Sequence, residues 1–302
     1  MTKGPTVARN RIGIHAGVWA GDWSPESARY AISESAAAGY DLIEIPVVDP
    51  FTNDLALTSR LLVENGIQSV VSLALGADHD INTTDAALSN RGERRLEDAV
   101  RFARDTGSTY LGGVLYSKMA KYQHPPTQGA RENSLAVLRR IADKAKASGI
   151  TLGLEYVNRY ESNLLNTAQQ TVQFIQDLGA DNVRLHIDTF HVNLEENDQA
   201  TAVRNAGSLL GYVHAGENHR GYLGTGSIDW VSLFRQLVIS DFTGPITFES
   251  FSNFVLPEAV ATDLALWRNL WSDPQDLARH ACRFIRVQLD SARQAVSAIP
   301  TA

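Results

Sequence analysis

Residues Gly179–Asp188, GADNVRLHID, contain the unit that the rest of the chain repeats. A glycine ends a helical pattern, a polar step follows, and an apolar run with alternating side chains finishes on an acid. Glycine suits the first position because the left-handed backbone that closes a helix penalises a Cβ. The glycine ahead of a β-rich run recurs at Gly39, Gly66, Gly107, Gly149, Gly211 and Gly244, before LIEI, IQSVVSL, TYLGGVLY, ITLGLEYV, YVHA and PITFES. With the leading run Ile12–Ala16, the sequence predicts eight strands.

Helical patterns fill the intervals. Ser24-Pro25-Glu26 reads as an N-cap, a first-turn proline and an acid, and Asp273-Pro274 repeats the device. Strands alternating with helices predict a parallel α/β sheet, and eight is the number that closes it into a (β/α)8 TIM barrel. An open doubly wound sheet is the alternative that alternation alone leaves standing. No linker or low-complexity stretch divides the chain, so residues 1–302 are expected to form one barrel domain, with 1–10 as a flexible leader. The end of the chain is longer than a barrel needs. Leu264, Trp267 and Trp271 are expected near one helical face, followed by an extra C-terminal helix over about Gln275–Ala295. That surplus is expected to pack over the barrel or against another subunit.

Composition narrows the function classes. The chain is 44% hydrophobic and 20% charged, which is globular, and its formal charge of −7 argues against a nucleic-acid surface. No apolar run reaches the roughly 18 residues of a membrane span. MTKGPTVARN lacks an apolar signal core. The single cysteine, Cys282, excludes an internal disulfide and points to a reducing, cytoplasmic compartment.

Strand alternation sorts the side chains of the last four strands. Leu152 and Leu154, Leu185 and Ile187, Val213 and Ala215, and Ile246 and Phe248 take the face toward the helices. The opposite, axial face then carries Glu155, His186 with Asp188, His214, and Glu249 near the carboxyl ends, where barrels place their active sites. A lone acid there is commonly a rim charge. Three carboxylates converging with an imidazole repel one another unless a divalent cation joins them. The donor set Glu155, Asp188, His214 and Glu249 suits manganese, magnesium or cobalt, with zinc not excluded.

Glu155 and Glu249 come from nearly opposite strands of the ring, so they can flank a ligand. A ketose chelated through its C2 carbonyl and C3 hydroxyl oxygens would have an acidified C3–H bond. One glutamate would remove that proton, leaving a metal-held cis-enediolate, and the other would return a proton to the opposite face. Beyond the strands, Glu161, His191 and Arg220 are candidates for sugar hydroxyls, although the first two also fit as caps or supporting groups. Trp19 is a candidate apolar wall. Glu44 reads as a structural or supporting carboxylate, His186 as an orienting group and His15 as a pocket residue. Glycines 221, 224 and 226 beside Arg220 would, in a phosphate-binding loop, imply a sugar phosphate; they would otherwise only turn the chain.

At these residues the chain resembles the ketose 3-epimerases, the group that includes D-tagatose, D-allulose (D-psicose) and L-ribulose 3-epimerases. The resemblance runs from IGIHAGVWAG to RFIRVQL and rests on LEYVNRYESNLLNT, LHIDTFHVNLEE, YVHAGENHRGYLGTGSIDW and ITFESF. It implies metal ligation by Glu155, Asp188, His214 and Glu249, acid–base chemistry by Glu155 and Glu249, and contacts from Glu161, His191 and Arg220 to the oxygens of C1–C3. It further implies Mn2+, with Co2+ or Mg2+ accepted, unphosphorylated ketose substrates, and a homodimer or homotetramer. One departure is Met119 in GGVLYSKMAKY, where some relatives carry tryptophan near the distal sugar. The competing readings are a metal-dependent aldose–ketose 1,2-isomerase, an abasic-site endonuclease, which would need more histidines and a basic groove, and a non-catalytic sugar-binding barrel.

Overall fold

The computed structural model describes residues 9–47 and 54–298, and residues 1–8 of the expected leader lie outside them. Eight strands form a closed parallel barrel in chain order. They are β1 (Ile12–His15), β2 (Leu42–Pro46), β3 (Gln68–Ser72), β4 (Tyr110–Gly113), β5 (Thr151–Glu155), β6 (Val183–Asp188), β7 (Leu210–Ala215) and β8 (Ile246–Phe248). β1 seals the ring against β8 through the pairs Ile12 with Ile246 and Gly13 with Thr247.

The alternation read from the sequence divides the apolar side chains into two compartments. Ile14, Ile43, Leu154, Ile187, Val213 and Phe248 belong to the main core between sheet and helices. Leu42, Val70, Tyr110 and Tyr212 form a separate cluster inside the barrel. Each inner residue lies about one pleat before the polar positions, so the plug fills the amino-terminal half and leaves the carboxyl ends to polar groups. The Tyr110 and Tyr212 rings stack with centroids 4.7 Å apart. Glycine makes this possible at Gly153, where a Cβ would overlap the Tyr110 hydroxyl.

Local signals mostly operate as expected. Ser24 and Asp273 cap the helices Pro25–Ala37 and Pro274–Ser297, each with proline in its first turn. Gly39, Gly66, Gly107, Gly149 and Gly179 all take positive φ. Gly211 and Gly244 do not, and Gly207 and Asp241 (φ 53° and 51°) take the left-handed positions instead. The two exceptions serve close packing: a Cβ on Gly211 would strike the Arg184 side chain, and one on Gly244 the Phe242 ring and the Gly211 carbonyl.

The region after β8 also departs from expectation. A short helix, Glu258–Asp263, ends near Ala265, whose φ is 53°, and residues 264–273 are irregular. Leu264, Trp267 and Trp271 therefore share no helical face: Trp267 is 75% exposed and Trp271 is 5% exposed. The extra helix, Pro274–Ser297, packs against the helix Trp230–Ile239 and against β1. No helix among the described residues is long and apolar enough to cross a membrane.

Candidate active site and metal centre

Glu155 and Asp188 end β5 and β6, His214 is the penultimate residue of β7, and Glu249 follows β8 directly. All four are buried. His214 Nδ1 lies 3.5 Å from Glu155 Oε1 and 3.3 Å from Glu249 Oε1. Asp188, His214 and Glu249 each offer a ligand atom within 4.8 Å of the others. Glu155 forms similar groups with His186 and His214, and with Asp188 and His191.

The chemistry of the set fits a divalent cation. His214 Nε2 lies 2.8 Å from Glu44 Oε2, so an N–H of the ring is engaged there and Nδ1 is the nitrogen left to face the carboxylates. That buried Nδ1 has no hydrogen-bond partner. A buried imidazole nitrogen without a hydrogen-bond partner, set among carboxylates, is one that a cation can take in place of a proton.

Electrostatics drive the two outer glutamates apart. Burial pushes Glu155 up to about 8, against the pull of His214. Burial would also raise Glu249, but His214 and Arg220 outweigh it and hold the carboxyl below the ordinary range. Burial opposes a charged His214, yet Glu44, Glu249 and Glu155 together raise it well above an ordinary imidazole. Arg220 supplies positive charge directly: its Nη1 lies 3.0 Å from Asp188 Oδ2 and also contacts Glu249 Oε2.

Glu161, His191 and Arg220 are brought beside this cluster. His191 Nδ1 faces both the Asn158 backbone N–H (3.2 Å) and the Asn158 side-chain amide (3.0 Å), so it is the acceptor. The ring proton then sits on Nε2, which points at Asp188 (3.6 Å), Glu155 (3.9 Å) and Glu161 (3.9 Å). Burial lowers His191 to about 3, so the ring is a neutral N–H donor. The Asn158 amide also donates to Glu161 Oε1 at 2.7 Å. Asn158, in VNRYESN, thus orients two candidate sugar contacts and carried no sequence signal of its own.

A cavity of about 550 Å³ opens over the cluster, with walls that include Trp23, Met119, Phe251 and Leu256. His15 lines it as expected. Trp19 does not: the 3-10 turn Ala16–Val18 carries it into the packed layer, where its ring meets Tyr30 edge-on at 6.2 Å. Trp23 supplies the tryptophan wall instead. His186 also differs from its expected orienting role. Its ring nitrogens make no hydrogen bond, and it meets His214 edge-on at 4.2 Å. The orienting group for His214 is Glu44, which additionally accepts the Tyr212 hydroxyl at 2.9 Å.

The glycine-rich loop after β7 is organised by Glu217, a fully buried carboxylate that the sequence reading passed over. Its oxygens accept the backbone N–H groups of Asn218, Gly224 and Ile228 and the indole N–H of Trp230. Glu217 already holds the Gly224 amide and His219 Nδ1 the Gly221 amide, so these glycines serve the turn of the loop.

Comparison with known proteins gives a consistent result. The model of the xylose isomerase-like TIM barrel family matches residues 32–287. An L-ribulose 3-epimerase of Methylomonas sp. (strain DH-1) is 46% identical over 278 residues, covering 92% of this chain and 97% of that protein. A ketose 3-epimerase of Arthrobacter globiformis is 41% identical over 279 residues, covering 92% and 96%. The crystal structure of D-allulose 3-epimerase from Methylomonas sp. in complex with D-allulose superposes with a TM-score of 0.91 at 45% identity, covering 93% of this chain and 98% of that one.

Proposed function

The chain belongs to the ketose 3-epimerases of the xylose isomerase-like TIM-barrel family, and from that premise we propose that it inverts carbon 3 of free ketoses with the help of a divalent cation. The observation that carries the proposal is the placing of Glu155 and Glu249, from β5 and β8, within 3.5 Å and 3.3 Å of one unpartnered nitrogen, His214 Nδ1. Two carboxylates brought from separate strands to one point suit a reaction that takes a proton from one face of a carbon and returns one to the other.

Glu155, Asp188, His214 and Glu249 would hold the cation, and three carboxylates with one imidazole favour Mn2+, with Co2+ or Mg2+ as substitutes. When bound, such a cation polarises the ketose oxygens and makes the C3–H bond more acidic. The protein's own groups do the rest. In the metal-free protein His214 and Arg220 hold Glu249 toward the carboxylate while burial holds Glu155 toward the acid, so the two glutamates differ in proton affinity before a cation binds. The pair exchange roles when the reaction runs backward. His191 presents Nε2–H, Arg220 presents its guanidinium, and Glu161 presents an acceptor to the hydroxyls near the reacting carbon. Occupation of the Gly224 and Ile228 amides by Glu217 favours an unphosphorylated sugar of the D-tagatose, D-fructose/D-allulose or L-ribulose class. Met119 on the cavity wall contributes to the choice among them. A homodimer or homotetramer in the cytoplasm completes the proposal.

The test is incubation in heavy water with manganese and a panel of D-fructose, D-tagatose, D-allulose and L-ribulose, beside a chelated control. Metal-dependent deuterium at C3 together with the C3 epimer is expected. Deuterium at C1 with an aldose product would assign a 1,2-isomerase. Absence of exchange across the panel would leave a sugar-binding barrel.

A further inference from the structure

We propose that the irregular segment between the last two helices positions Arg220 for the sugar, through a relay that runs from the Trp271 indole to the Ser250 hydroxyl to the Arg220 backbone carbonyl. The inference rests on the reading of Arg220 as a sugar contact and adds residues to which that reading assigns no part.

Arg220 is one of three non-glycine residues with positive φ among the described residues, at 63°. A side chain disfavours that backbone, and such strain persists only where surrounding contacts impose it. Its carbonyl accepts the Ser250 hydroxyl, and Ser250 is fully buried immediately after Glu249. The Ser250 oxygen in turn accepts the Trp271 indole N–H at 2.8 Å. The segment carrying Trp271 is tied to the same turn: Ser252 Oγ lies 2.6 Å from Asn269 Oδ1 and 3.4 Å from the Trp271 carbonyl, and Asn253 Nδ2 donates to the Leu266 carbonyl at 3.2 Å.

The guanidinium end of the side chain has contacts of its own. The guanidinium lies over the Phe190 ring at 4.0 Å and the Phe251 ring at 5.2 Å while pairing with Asp188 and Glu249. The left-handed turn therefore sets the direction in which Arg220 leaves its loop, and the rings and acids hold its far end. Without the relay, the backbone is free to relax to negative φ and swing the guanidinium off the cluster. The C-terminal surplus thereby gains a part in the site itself.

The test compares Ser250→Ala, Trp271→Phe, the double variant and Arg220→Ala, each loaded with manganese. Ketose affinity is read by calorimetry, and KM and kcat are read for D-allulose. Loss of either relay bond is expected to weaken ketose binding and raise KM roughly fivefold, the net worth of one buried hydrogen bond. The double variant should be no worse than Ser250→Ala, because Trp271 acts through Ser250. A crystal structure of Ser250→Ala should show Arg220 at negative φ. The proposal is overturned if Ser250→Ala retains the left-handed Arg220 with its contacts to Asp188 and Glu249, or if both relay variants bind ketose normally while Arg220→Ala does not. Normal binding by Arg220→Ala would instead remove the sugar-contact reading on which the relay depends.

Discussion

Glu44 on β2 reaches across the barrel to His214 on β7, its Oε2 lying 2.8 Å from the ring's Nε2. A histidine that offers one nitrogen to a cation needs its other nitrogen held, and a carboxylate both fixes the ring and makes it a stronger donor. Burial alone would raise Glu44, but His214 outweighs it and holds the carboxyl far below the ordinary range, so the charge is present at every working pH. Glu44→Gln keeps the shape and removes the charge. Manganese affinity measured by calorimetry is expected to fall by roughly 10- to 100-fold, the usual effect of losing such a partner. Unchanged affinity would show that His214 is held by packing alone.

Metal uptake should depend on pH in a defined direction. Glu155, at about 8 in the metal-free protein, is mostly protonated at neutral pH, and the elevated His214 also holds a proton. A cation needs both in the proton-free form at the ligating atom, so binding releases protons. Affinity is expected to rise with pH up to about 8, by a factor approaching ten per unit for each proton displaced. Calorimetry in buffers of different ionisation enthalpy counts those protons. Burial is the main cause of the rise in Glu155 and repulsion from Glu249 and Asp188 adds to it, so Glu249→Gln should lower the pH at which the affinity levels off. Proton release that is absent in the wild type would contradict the assigned protonation states.

The gathering of Glu155, Asp188, His214 and Glu249 at one end of the barrel was legible in the sequence because two regularities suffice to place it. Alternation tells which side chains of Ile246–Glu249 or Leu185–Asp188 face the axis, and chain direction tells which end of a parallel barrel they reach. Glu217 was not legible, because its role depends on a loop folding back so that residues 218, 224, 228 and 230 surround one carboxylate. Asn158 escaped for a similar reason: its partner His191 lies 33 residues away on the next strand–helix unit. The choice between Trp19 and Trp23 turned on a three-residue 3-10 turn whose formation leaves no periodic trace. Glu44 was recognisable as a carboxylate at a strand end, but only barrel closure places β2 opposite β7.

The inner plug gives a prediction about stability that also bears on the site. A Cβ at Gly153 would overlap the Tyr110 hydroxyl, which is buried and stacked against Tyr212. Tyr212 has little room to yield, since its hydroxyl is bonded to Glu44 and Thr247. Gly153→Ala is expected to destabilise the protein by about 1–3 kcal/mol in denaturant unfolding, the usual cost of overpacking. Displacing Tyr212 would disturb Glu44, so manganese affinity should fall as well. A variant of normal stability would mean that the tyrosine pair is looser than its stacking implies.

Removing either outer glutamate tests the two-sided proton transfer most directly. Glu155→Gln and Glu249→Gln each delete one proton carrier while Asp188 and His214 remain to hold the cation. At saturating manganese, net epimerisation is expected to fall by roughly 10²- to 10⁴-fold in both, as for loss of a general acid or base. The two variants should nevertheless differ in which C3-tritiated epimer they exchange with solvent. A ketose presents its C3–H to one glutamate and its epimer presents it to the other, so the surviving glutamate can exchange the proton of only one of the two sugars. Glu155→Gln should therefore wash tritium from C3 of one epimer, and Glu249→Gln from the other. Equal washout from both epimers in a single variant would mean that one carboxylate serves both faces, and near-normal epimerisation in either variant would remove that glutamate from the reaction.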